Sequence, residues 1–165
     1  MTQVEDIDGE PCPVARSLHI VGDRWALLIV RDAFDGIRRF SDFQRNLGVA
    51  RNILADRLRR LVEGGILTTK PAGNGSAYQE YVLTDSGNSL FPVVVALRQW
   101  GERNLFTPGE PHSELIEKKT GRQVALMSVR SEDGGVLGAG ETEVRKLSHG
   151  TGEASGRGPA RDGAA

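Results

Sequence analysis

The chain has 165 residues, a formal net charge of −1 and 38 % hydrophobic residues, enough for one compact domain with an appendage. No run of 18 apolar residues is present, the N-terminus lacks a basic stretch followed by an apolar one, and one cysteine excludes an internal disulfide framework. A membrane span and a secretory leader are not expected, and a cytoplasmic location is.

The charge is unevenly spread. Residues 36–70 hold eight basic side chains against three acidic ones, whereas the first ten residues hold four acids and no base. A local basic field of this kind steers a protein to phosphate whatever the whole-chain charge. Of the 21 glycines, 11 follow Phe106, so the shortage of apolar residues lies in the C-terminal third.

Residues 1–10 read as a flexible acidic arm. From Pro13, the apolar residues Val14, Leu18 and Val21 recur at helical spacing. Proline suits a first helical turn, which places Cys12 at the N-cap. There the positive end of a helix favours a reactive thiol. After Gly22-Asp23 comes a helix that is apolar nearly all round, Trp25 to Phe34, expected at the centre of the domain and stopped by Gly36. Burial of Trp25 is expected to contribute about 2–3 kcal/mol.

Ser41 and Gln44 have capping-box spacing at the start of a third helix that ends at Gly48. A fourth helix starts near Ala50 with no Ser, Thr, Asp or Asn at its N-cap, leaving its first N–H groups for phosphate or water. Its apolar side is Leu54, Leu58 and Leu61, and its opposite side carries Asn52, Ala55, Asp56 and Arg59, with Arg51 near the N-terminal end. Helix, short turn and basic helix is the layout of a helix-turn-helix, whose second helix can enter a major groove. Arg51, Asn52 and Arg59 are the best base- or phosphate-facing candidates, since Asn can pair with adenine and Arg with guanine. Arg57 lies near the core border and is placed to brace the fold through an acid.

Two strands, from Ile66 to Lys70 and from Tyr78 to Leu83, flank a turn containing Asn74-Gly75 and form a hairpin wing. Lys70, Asn74 and Ser76 are phosphate candidates on this wing, and Arg38 and Arg39 are others ahead of the third helix. Thr84-Asp85-Ser86 caps a final helix with Leu90, Val93, Val94, Leu97 and Trp100 at helical spacing and a bend at Pro92. Part of this stripe covers the domain and part is available to a second subunit. The expected architecture is therefore mainly α with a β-hairpin wing, a winged helix-turn-helix over residues 11–106. Residues 107–147 are expected to form a small β appendage, with strands at 122–129 and 138–147. The Gly-, Ala- and Ser-rich residues 148–165 are expected to be a disordered tail.

Cys12-Pro13-Val14, the Gly22-Asp23-Arg24-Trp25 corner, Phe40-Ser41-Asp42-Phe43, Asn52 through Leu58, Gly65-Ile66-Leu67, Tyr81-Val82-Leu83-Thr84 and Trp100 together resemble the HxlR-type regulators, relatives of the MarR family. The resemblance covers residues 11–106. It implies a homodimer that binds a pseudo-palindromic operator in double-stranded DNA, pairs through its terminal helices, and places the fourth helix in the major groove and the wing on the backbone. Val14, Leu18, Leu90, Val94, Leu97 and Trp100 are the dimerisation candidates, and Ala50 and Ala55 join the DNA-facing set. Members that sense oxidants or electrophiles through an N-terminal cysteine make Cys12 the redox candidate. Ala50 stands where the family often has a small hydroxyl residue.

His19, His112 and His149 are scattered, so no metal site is expected. No Ser-His-Asp order, phosphate loop or dinucleotide motif is present, so neither an enzyme nor a cofactor is expected. The alternatives are a regulator that answers a small molecule at a pocket in the dimer interface, between the Trp25 and Trp100 helices, and a winged-helix protein-interaction module.

Overall fold

The computed structural model describes residues 11–73 and 78–146. Two compact units divide the chain after Met127.

In the first unit, α1 (Pro13–Val21) begins at Pro13 with Cys12 as its N-cap. In α2 (Arg24–Phe34) the Asp23 carboxylate accepts a hydrogen bond from the Trp25 N–H and supplies the cap. Ala26, Ile29 and Val30 of α2 are buried in the core, as the all-round apolar pattern required. Trp25 is only partly buried and carries the Arg24 guanidinium over its ring at 4.3 Å, so it contributes less burial than a core tryptophan.

α3 (Phe40–Leu47) starts one residue before Ser41, with Arg39 as N-cap and no side-chain cap. The capping box is not formed, because Ser41 already lies inside the helix. Phe40 takes its first position and packs partly against the core, while Phe43 is buried completely. Gly48 ends α3 at φ 61°, a left-handed conformation that glycine adopts without a Cβ clash. Val49 is buried in the turn, and α4 (Arg51–Glu63) follows with Leu54, Leu58 and Leu61 fully buried. At its end the N–H of Ile66 donates to Leu61 O and that of Gly65 to Val62 O, a Schellman closure.

β1 (Leu67–Pro71) and β2 (Gln79–Leu83) are antiparallel, with Leu67 opposite Leu83 and Thr69 opposite Tyr81. Tyr81 donates its N–H to Arg38 O at 2.8 Å, which fastens the entry to α3 onto the wing. Thr84 caps the single-turn α5 (Asp85–Asn88) and also donates its hydroxyl to Gly65 O. The final helix is not one bent rod. The chain breaks after Asn88, and α6 (Phe91–Asn104) restarts with Pro92 in its first turn, where a missing N–H costs nothing. Val95 and Gln99 of α6 are buried.

Among the described residues, the β character beyond α6 is limited to two isolated bridges, Ile116 with Gln123 and Arg130 with Val136. Among the same residues, 122–129 do not pair with 138–146. Instead, Gln99 donates to Ala125 O and accepts from Met127 N–H, taking up backbone groups that a strand would offer to a sheet. Arg98 donates to Ser113 O and Oγ in the same unit. In the second unit Arg130–Val136 closes around a turn at Ser131–Gly135, and a 3-10 turn spans Ala139–Glu141.

Candidate nucleic-acid interface

The exposed side of α4 follows from its buried side. With Leu54, Leu58 and Leu61 turned inward, Arg51, Asn52, Ala55, Arg59 and Arg60 face solvent. Ala50 is the N-cap and provides no side-chain cap, and the first backbone bond runs from Leu54 N–H to Ala50 O. Ile53 is also exposed at this end, an apolar side chain that the helical pattern did not mark.

A buried carboxylate ties α3, the helix before the corner, to α2. Asp32 is fully buried and accepts two hydrogen bonds from Arg31, at 2.9 and 2.7 Å, and one from Asn46 Nδ2 at 2.8 Å. It joins α2 to the last turn of α3, just before the Gly48 corner. Asp23 does similar work at the other end of α2. Besides capping that helix, it lies 2.9 Å from Arg57 Nε and so ties α2 to α4. Burial raises the Asp23 carboxyl, but the Arg57 and Trp25 contacts outweigh it and hold the group below the ordinary 3.8.

The cations of α4 are not equivalent. The Arg51 guanidinium stacks over Phe40, 5.1 Å from the ring centre, so it is aimed without being neutralised. Among the described residues it forms no ion pair, and Asn52 forms no side-chain hydrogen bond. Arg59 is different. Its Nη1 donates to both Glu63 oxygens at 2.8 Å and its Nη2 to Asp56 Oδ1 at 2.6 Å. Glu63 first and Asp56 second hold Arg59 above its ordinary range. Asp56 also takes Arg57 Nη1 at 2.5 Å and Arg60 Nε at 3.0 Å on Oδ2. Three arginines thus converge on one carboxylate, and the Arg59 hydrogen bond holds it below the ordinary value. The i, i+3 and i, i+4 spacing behind the Arg59 and Arg60 pairs is present in the sequence, and Arg57 is the chain neighbour of Asp56. Asp56 lies on the face expected to be exposed, and its part as the partner of these arginines is the feature that helical periodicity alone does not show.

The remaining candidates lie around this surface. Arg38 is exposed in the α2–α3 connection, and Arg39 Nε lies 3.7 Å from Glu80 Oε1 on β2. Lys70 is exposed on β1 in register with Glu80. Asn74 and Ser76 lie outside the described residues, as do the 1–10 arm and the 148–165 tail. Cys12 is exposed at the start of α1. Val14, Leu18, Leu97 and Trp100 are all roughly half exposed or more, whereas Leu90 and Val94 pack against the core. A cavity of about 320 Å³ lies between α6 and residues 112–126, lined by Arg98, Gln99, Leu115 and Leu126 among others. It is not between the Trp25 and Trp100 helices. Among the described residues no group of His, Cys, Asp or Glu is arranged to hold a metal, and no helix is long and apolar enough to cross a membrane.

Comparison with known proteins bears on this surface. The model of the HxlR-like helix-turn-helix family matches residues 20–108. An uncharacterized HTH-type transcriptional regulator of Mycobacterium tuberculosis is 46 % identical over 102 residues, covering 62 % of this chain and 65 % of that protein. The match therefore spans just under two thirds of that relative. YybR of Bacillus subtilis, also an HTH-type transcriptional regulator, is 32 % identical over 96 residues, 58 % of this chain and 77 % of YybR. Among solved structures, the transcription-factor candidate PA1607 is 51 % identical with a TM-score of 0.81, covering 85 % of this chain and 98 % of its own. The reduced form of the redox regulator HypR is 30 % identical with a TM-score of 0.53, covering 57 % and 94 %.

Proposed function

The chain belongs to the HxlR-like helix-turn-helix family, and from that premise we propose that this transcriptional regulator binds a pseudo-palindromic operator as a cytoplasmic homodimer, with α4 in the major groove. The observation that carries this is the N-terminal end of α4, where a stacked, un-neutralised Arg51 and an uncommitted Asn52 stand beside a helix start without a side-chain cap. Arg51 suits guanine or a phosphate, and Asn52 suits the N6 and N7 edge of adenine. The uncapped N–H groups suit a phosphate. Ala55 and Ile53 offer apolar contact to a thymine methyl. Arg38, Arg39, Lys70, Asn74 and Ser76 are assigned to the flanking backbone, where contacts fix register without reading sequence.

The exposed Val14 and Leu18 on α1, with Leu97 and Trp100 on α6, supply the apolar surface for a second copy. Leu90 and Val94 support that surface from the core side. Cys12 is the site at which an oxidant or electrophile acts. Its exposure at the N-terminal end of α1 and the likeness to a redox regulator favour this effector over a small-molecule ligand. With one cysteine per chain, a disulfide formed on oxidation joins two subunits or a small thiol.

Titration of a labelled operator-length duplex at several salt concentrations tests the reading. Binding that weakens linearly in log–log form marks phosphate contacts. Binding independent of salt would point to a protein-interaction module instead. Footprinting on DNA flanking the protein's own gene, with and without diamide, tests symmetry and the switch. Release by diamide is expected to disappear in Cys12→Ser, and release that persists would rule out the thiol.

A further inference from the structure

We propose that Asp56 is a specificity-determining residue of the DNA interface: its carboxylate holds Arg59 and Arg60 away from phosphate and so suppresses binding to unrelated DNA. The inference rests on the reading that α4 meets DNA. It is carried by the ion pairs, with Asp56 Oδ1 on Arg59 and Oδ2 on Arg57 and Arg60, all within 3.0 Å.

Non-specific binding comes almost entirely from cations replacing counterions along the phosphate backbone. Arg59 and Arg60 are exposed and sit on the face of α4 that also bears Asn52 and Ala55. Free, they would bind any duplex. Each instead has a carboxylate within its own helix, and a phosphate must displace that partner while facing the negative charge of Asp56. The exchange is between weak surface pairs, so a correct site can drive it. There, contacts from Arg51 and Asn52 align α4, and base or phosphate oxygens arrive in the geometry that releases Arg59. An arbitrary sequence offers no such alignment, and the arginines stay paired. Glu63 reinforces Arg59 alone, whereas Asp56 gathers all three, so the effect is assigned to Asp56. Arg57 has a second anchor in Asp23 and is the one expected to remain in place.

The test compares wild type with Asp56→Asn, which keeps the shape and removes the charge, on a selected operator and a scrambled duplex of equal length. Asp85→Asn on α5 makes the same charge change on another element. For Asp56→Asn, affinity for the scrambled duplex should rise roughly 3- to 10-fold near 0.1 M salt. The log K against log salt slope should steepen by about 0.9 for each arginine released to a phosphate. Affinity for the operator should rise less, so the ratio between the two narrows. Asp56→Ser should behave in the same way, which separates loss of charge from any fault in folding of one variant. An unchanged ratio and slope in both Asp56 variants would overturn the proposal, as would an equal effect of Asp85→Asn. A wild type that binds neither duplex would fail at the earlier step, overturning the assignment of α4 to DNA and this proposal with it.

Discussion

At the scale of single residues, the surface of α4 separates groups that are poised from groups that are held. Asn52 has no intramolecular side-chain partner among the described residues and stands in the first turn of the helix. Asn52→Ala is expected to reduce discrimination between the operator and single-base variants by about 1–3 kcal/mol at one position. A competition titration against those variants checks this, and unchanged discrimination would remove Asn52 from the interface. Asp32 is a residue of another kind, buried at 0 % exposure with Arg31 and Asn46 bonded to it. Asp32→Ala removes the charge-assisted bonds from Arg31 and Asn46, so a loss of about 1.5–3 kcal/mol in urea unfolding is expected. Asp23 has a depressed carboxyl, so its stabilising contribution is complete above the unfolded value of about 3.8 and is lost as pH falls through the lower folded value. Asp23→Ala should therefore cost about 1 kcal/mol near pH 6, the worth of a helix cap, and much less near pH 3. Urea midpoints at the two pH values measure the difference, and an equal cost at both would contradict the linkage.

Among the elements, the α3–α4 corner fixes where the exposed face of α4 points. A Cβ at Gly48 would meet no other atom within 4 Å, so the cost of Gly48→Ala comes from the backbone angle alone. About 1–2 kcal/mol is expected from the left-handed conformation, measurable by thermal unfolding. A loss near zero would mean that the corner relaxes to another geometry. The corner itself was legible in the chain, because glycine between two apolar-periodic segments is a local signal. So were the uncapped start at Ala50 and the inward leucines of α4. The start of α3 was not: Ser41 and Gln44 have the right spacing for a box, but packing of Phe40 pulls the helix start forward. Nor was the break between α5 and α6, where a proline read as a bend is instead the opening turn of a new helix. The face of α4 was readable from 100° per residue, and the pairs made by Asp56 follow from spacing along one helix. Which acid braces Arg57 was not readable, since Asp23 is 34 positions away in the chain and meets it only through the packing of α2 on α4. The strands expected after residue 122 failed for a similar reason, because the Gln99 side chain, remote in sequence, supplies the partner for that backbone.

For the whole molecule, the regulator reading requires two copies acting together. Trp100 is about half exposed on α6, so Trp100→Ser should leave the monomer fold largely intact while weakening self-association. Analytical ultracentrifugation should show the wild type as a dimer and the variant shifted toward monomer at the same concentration. A variant that remains as dimeric as wild type would move the interface elsewhere. The proposed two-fold dimer would present its two α4 helices to half-sites about one helical turn apart. The central claim is that this pair of helices reads sequence, and selection from a random duplex pool tests it most directly. The expected result is enrichment of an inverted repeat by the wild type, with Arg51→Ala and Asn52→Ala losing enrichment at matching positions in both half-sites. Failure of the wild type to enrich any sequence, or enrichment unchanged by both substitutions, would contradict it.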